Sequence, residues 1–220
     1  MIGTANRHKA PEHRRLGKSR YVFWWGLLGL LAGCAGQALD APSTWYGRHN
    51  AVKPRGDRIV ICHGFGCNLR TPVDFSAKDL ARLQEIIASG DASPAAERKA
   101  LARAVQWQEL RVAPTVGSGN DKGGFTFDSG VPGQMDCIDE ATNTTSLLLV
   151  AERHGFLKHH VVRSPVARGF FLDGRYPHAT AVISEKKSND AWAIDSWTHD
   201  NGVSPDVMPL DTWFAQYGGS

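Results

Sequence analysis

Gln134-Met135-Asp136-Cys137-Ile138-Asp139-Glu140-Ala141 is the point at which a glycine-rich loop gives way to a helix, and the fold turns on it. Asp136 suits an N-cap, and Asp139, three positions on, completes a capping-box pattern. Ile138, Ala141, Thr145, Leu148 and Leu149 recur at helical spacing, and Gly155 fits the position just past the C-terminus. Cys137 therefore falls in the first helical turn. Unpaired N–H groups and the helix dipole favour an anion there, which can bring a thiol below its free pKa of about 8.5. Asp136 and Asp139 work against that effect. Upstream, residues 113–134 hold six glycines and two prolines and read as a long loop.

Downstream the texture is β. Stretches 159–166 and 169–172 read as short strands. His178-Ala179-Thr180-Ala181-Val182-Ile183 and Ala191-Trp192-Ala193-Ile194-Asp195-Ser196-Trp197 flank a polar turn, the pattern of an antiparallel hairpin. With its centre near 187, His178 falls opposite residues 195–197, so His178 and Asp195 share a face at direct or diagonal spacing. Trp197, two after Asp195, is placed to shield that face from water. Pro209 to Tyr217 reads as a short amphipathic turn or helix.

Upstream of the loop, Arg58-Ile59-Val60-Ile61 reads as a strand, and Cys62-His63-Gly64-Phe65-Gly66-Cys67 as a tight bend. Helices are expected from Asp74 to Ser89 and, behind a Ser93 cap and Pro94, to about Leu110. Cys62 and Cys67 suit a disulfide with each other in an oxidising compartment. Metal binding through Cys62, His63 and Cys67 is the alternative. His159-His160 is a poor metal pair, because neighbouring strand residues point to opposite faces.

The first 33 residues have the form of an export leader. Six Lys/Arg precede the apolar run from Tyr21 to Leu31, which is too short to span a bilayer comfortably. Leu31-Ala32-Gly33-Cys34 resembles a lipobox, making Cys34 the expected lipidation site. A cut near Ala38, an uncleaved anchor or a twin-arginine signal at Arg14-Arg15 are the alternatives. Ala35 after the cysteine suggests outer-membrane sorting. The whole chain has 25 Lys/Arg against 22 Asp/Glu, a net of +3. The leader holds six of the former and one of the latter, so residues 34–220 carry 19 against 21, a net of −2. No basic footprint for nucleic acid is left. The expected organisation is a signal peptide (1–33), a tether (34–56) rich in Ala, Pro, Gly and Arg, and one domain (57–220).

A thiol at a helix start, followed by His and then Asp on a hairpin, is what nucleophilic cysteine catalysis requires. Asp136-Cys137-Ile138-Asp139-Glu140-Ala141 resembles the Asp-Cys-x-Asp-x-Ala helix start of the bacterial transglutaminase-like cysteine proteinases. Pro177-His178-Ala179 and Trp192-Ala193-Ile194-Asp195-Ser196-Trp197 are similar to that family's His-Ala and hydrophobic-Asp strands. The spacings, 41 from Cys to His and 17 from His to Asp, suit it too. The resemblance covers residues 130–200 and implies an α+β fold with a papain-like or transglutaminase-like core. It makes Cys137 the nucleophile, His178 the base and Asp195 its orienter. The intermediate is a thioester whose oxyanion is held by the Cys137 N–H and, as a candidate, the Gln134 side chain. No cofactor is implied, and the expected substrate is a peptide or protein of the cell envelope. A non-catalytic envelope lipoprotein that uses the same fold to bind a peptide or partner is the competing reading. A metal-binding envelope protein is the third.

Overall fold

A computed structural model describes residues 1, 3, 40–124, 127–169 and 177–216. The expected signal peptide and the Cys34 lipidation site lie outside the described residues, apart from Met1 and Gly3. Every element below belongs to the unit Ala35–Ser220. It is an α+β arrangement with two antiparallel sheets.

The centre is α4 (Cys137–Arg153), which is buried on nearly every side. Asp136 caps it, accepting from the Ile138 and Asp139 N–H groups at 3.1 and 2.9 Å, and Asp139 completes the capping box. Leu147, Leu148 and Val150 enter the main core. Its polar face, Thr142 to Ser146, is buried as well, and most of it is hydrogen-bonded, Thr145 Oγ1 being the exception among the described residues. Thr142 and Ser146 donate to carbonyls one turn back, and Asn143 clasps both backbone groups of Cys62.

Against one side of α4 lies a hairpin, β1 (Arg58–His63) and β2 (Leu69–Asp74), paired antiparallel from Arg58↔Asp74 to His63↔Leu69. β2 ends at Asp74, the first residue of the stretch expected to be helical. Its Pro72 is tolerated because the strand is a sheet edge. The helix proper is α2 (Ala77–Ala88), capped by Ser76. Next comes α3 (Pro94–Val116), which runs six residues past the expected Leu110. Pro114 does not stop it, because the one hydrogen bond it removes lies on the exposed side of the last turn. Gly117 ends it in the left-handed conformation. Gly133 lets the following loop pass close by: with φ +85°, its missing Cβ would lie 2.3 Å from the Gly117 carbonyl oxygen.

A four-stranded antiparallel meander lies on another side of α4: β3 (His160–Arg168), β4 (His178–Glu185), β5 (Ala191–Asp195) and β6 (Asp206–Pro209). β3 runs two residues past the expected 159–166 piece and has a register shift between Arg163 and Val166. Most of the second piece, 170–172, lies outside the described residues. Ala181, Ile183 and Ile194 join the main core with α4, whereas Val182 and Ala193 pack with Leu210 and Trp213 of the short α5 (Leu210–Ala215). The sheet is thus covered on both faces.

Part of the expected tether is structured. α1 (Pro42–Arg48) has proline in its first turn and buries Trp45 and Tyr46. The Trp45 indole donates to Thr142 Oγ1 and the Tyr46 hydroxyl pairs with Ser146 Oγ, each at 2.8 Å, so α1 is fastened along α4. Small residues dominate the composition of 34–56, and two aromatics among them are enough to bury a helix. Among the described residues no helix is long and apolar enough to cross a membrane.

Candidate active site

Cys137 is the first residue of α4 and is 7% exposed. Its sulfur lies 3.9 Å from the Pro177 carbonyl, to which the thiol donates, and the Ala179 N–H also faces it. The thiol is therefore set against the backbone on either side of His178. Trp45, Ala141, Ala179 and Trp197 pack with it.

β4 and β5 pair Ala181 with Ile194 and Val182 with Ala193. Continuing that register sets Asp195 across from Thr180, so His178 is its diagonal neighbour on the same face. The His178 Nε2 donates to Asp195 Oδ2 at 2.6 Å. The Trp213 indole N–H donates to the same oxygen at 2.7 Å. An oxygen that accepts from Trp213 holds the imidazole proton on Nε2 and leaves Nδ1 as the basic nitrogen. Nδ1 is buried and has no hydrogen-bond partner among the described residues. Trp197 and Trp213 lie against the ring, with centroids 4.8 and 5.5 Å away, which holds the imidazole in place.

The electrostatics differ from the sequence expectation in one respect. Burial first, then the charges of Asp136 and Asp195, push the Cys137 thiol up to about 12. The N–H groups of the helix start act in the opposite direction but do not win. The resting group is the neutral thiol, because desolvation of an anion at a nearly covered site outweighs a helix N-terminus.

Gln134, the expected second oxyanion donor, is engaged elsewhere. Its amide donates to the Asn120 carbonyl at 3.2 Å on the exposed side of the loop. The loop thus commits the amide to Asn120, while the Gln134 carbonyl accepts from the Gly64 N–H. Trp45 and Trp213 are the site residues that sequence reasoning missed. The helical pattern around Trp213 was legible, but its hydrogen bond to Asp195 spans 18 positions and leaves no local signal.

Cys62 and Cys67 are joined as a disulfide, with Cα atoms 4.5 Å apart. The Asp139 carboxylate lies near both sulfurs, but sulfurs bonded to each other offer no thiolate to a metal. His160 is buried and bonds Glu97, while the His159 ring turns to the Asp91 carbonyl, so the two imidazoles do not converge. Glu109, Glu140 and Ser118 are among the residues lining a small cavity of about 20 Å³, room for one water. Burial raises Glu140 well above the usual carboxylate range and takes Glu109 up to about 8.

No family model, curated protein or solved structure matches this chain.

Proposed function

We propose that this chain is a cell-envelope lipoprotein that cleaves or transfers an amide bond through a thioester at Cys137. In this reading it is one of the transglutaminase-like cysteine proteinases it resembles. The observation that carries the reading is an imidazole fixed through Nε2 by Asp195, with its unpartnered Nδ1 in the residue flanked by the two backbone groups that touch the sulfur. Because the resting thiol is neutral, the proton leaves as the carbon–sulfur bond forms. Sγ attacks the amide carbon and its proton passes to Nδ1, while Asp195 stabilises the imidazolium. Collapse of the tetrahedral adduct returns that proton to the departing amine and leaves the acyl group on sulfur. Water then gives a hydrolase, and a second amine gives a transferase. The Cys137 N–H, which faces the sulfur at the start of the helix, is the oxyanion donor.

The test uses an activated ester, p-nitrophenyl acetate, as a generic acyl donor. Stoichiometric p-nitrophenolate release and an acetyl group on the Cys137 peptide are expected for the wild-type protein. Both should vanish in Cys137→Ala. An acylated wild-type protein in which the label sits elsewhere would end the proposal.

The competing reading, a non-catalytic binding module on the same fold, is favoured by the near-complete burial and raised pKa of the thiol. It requires no acylation of Cys137 at any pH at which the fold persists.

The anchor is tested separately. Cells fed labelled palmitate should incorporate it into the wild-type chain and not into Cys34→Ala. That variant should leave the membrane fraction, since the acyl chains supply the attachment. Equal membrane retention of both would assign the attachment to another segment.

A further inference from the structure

The turn between β1 and β2 has an unusual backbone. Gly64, Phe65, Gly66 and Cys67 all have positive φ, at 76°, 68°, 64° and 60°. Phe65 and Cys67 are not glycines, and L-residues in this region cost about 1–2 kcal/mol each. The disulfide from Cys62 to Cys67 closes the turn. What the conformation achieves is to point successive N–H groups the same way, the geometry of an anion-binding nest. The Cys67 and Phe65 N–H groups donate to the two oxygens of Asp139 at 2.6 and 2.9 Å, and the Gly66 N–H donates to Asp136 Oδ2 at 3.0 Å. These are the two carboxylates on either side of Cys137 in the sequence.

We propose that the Cys62–Cys67 turn is the positioning device of the Cys137 thiol, gripping Asp136 and Asp139 to hold the helix start and to offset the charge of Asp136. The proposal rests on the thioester chemistry of Cys137. Two acids are needed here as caps, since Asp136 satisfies the Ile138 and Asp139 N–H groups. Burial and the charge of Asp136 push Asp139 up to about 8, so of the two it is Asp136 that acts as a charge on a sulfur that must gain negative character during attack. The Gly66 N–H aimed at Asp136 spreads that charge away from the thiol, while the Phe65 and Cys67 N–H groups hold Asp139 in place. Without the covalent closure the left-handed conformation at Phe65 and Cys67 is held by its hydrogen bonds alone, so a reduced turn loosens its grip. Asp136 then faces the thiol less screened. Cys62 and Cys67 are thus positioning residues that never touch the substrate.

The experiment follows acylation of Cys137 by p-nitrophenyl acetate against pH, with the site of modification read by peptide mass spectrometry. In Cys62→Ser/Cys67→Ser the profile should move to higher pH by about one unit, a tenfold slower reaction at neutral pH. Adding Asp136→Asn should restore the rate, because asparagine caps a helix as well as aspartate without the charge. A merely structural turn predicts no such rescue. If the double variant does not fold, phosphine-reduced wild-type protein takes its place, with and without Asp136→Asn. An unchanged profile, or a slow triple variant, overturns the positioning role while leaving the nucleophile intact. No acylation of Cys137 in oxidised wild-type protein overturns the thioester reading itself.

Discussion

On the proposed thioester mechanism His178→Ala should slow acylation of Cys137 by about 10²–10⁴-fold, the usual contribution of a positioned general base. The expectation is at the upper end for a specific reason. A thiol with a depressed pKa reacts as a thiolate and tolerates loss of its base, but this thiol is pushed up to about 12 by burial and by Asp136 and Asp195. At neutral pH almost none of it is ionised, so the proton must be taken during attack. Asp195→Asn should cost about as much while leaving the ring in place. The Trp213 N–H selects the amide oxygen for the Oδ2 position, so the ring keeps its proton on Nε2 and what is lost is the charge that stabilises the imidazolium. Trp213→Phe keeps the ring packing and loses only the indole donor to Asp195 Oδ2, so about a tenfold loss is expected there. The nitrophenolate burst measures all three. A burst in His178→Ala equal to the wild type would remove the imidazole from the reaction.

The largest stability effect is expected at Glu97, well away from the thiol. It is fully buried near the start of α3. It accepts from the N–H groups of Lys158, His159 and His160 at 2.8, 2.9 and 3.0 Å and from the His160 ring at 2.9 Å. One carboxylate therefore satisfies the backbone where α4 hands over to β3. Glu97→Ala strands those donors in the interior and should cost about 3–5 kcal/mol. In a domain of this size that lowers Tm by about 10 °C. The effect has a pH signature. Burial alone would raise the Glu97 pKa, but the hydrogen bonds from His160, His159 and Lys158 more than cancel it, and the carboxyl lies below its ordinary 4.5. A depressed folded-state pKa contributes stability that is complete above the ordinary value and is lost as pH falls through the folded one. The gap in Tm between wild type and Glu97→Ala should therefore be widest near neutrality and narrow in acid. A gap that stays constant down to pH 3 would mean that the carboxylate charge contributes nothing.

What was legible in the sequence shares one property: it acts over a few positions. The Asp136 cap, the Asp139 capping box and the turn at Lys186 to Asp190 are local chemistry, and they place Cys137 in the first turn and His178 diagonal to Asp195. The bend from Cys62 to Cys67 was equally readable, because its disulfide closes over five positions. Composition misled at residues 42–48, where small residues hid the buried pair Trp45 and Tyr46. β2 gave no local signal, since its six residues ending in Asp74 pair with β1 only in three dimensions.

The sequence by itself thus determined which residue starts the central helix and which imidazole and carboxylate share a strand face. Only the tertiary structure decided the protonation of the thiol, the partner of Asp195 and the grip of the Cys62–Cys67 turn on Asp136 and Asp139. Hydrogen bonds of a cap or a hairpin are made within one turn of chain, so spacing encodes them. Desolvation of Cys137, and contacts spanning about 70 positions from Phe65 to Asp139, exist only once distant segments have packed, and no spacing encodes them.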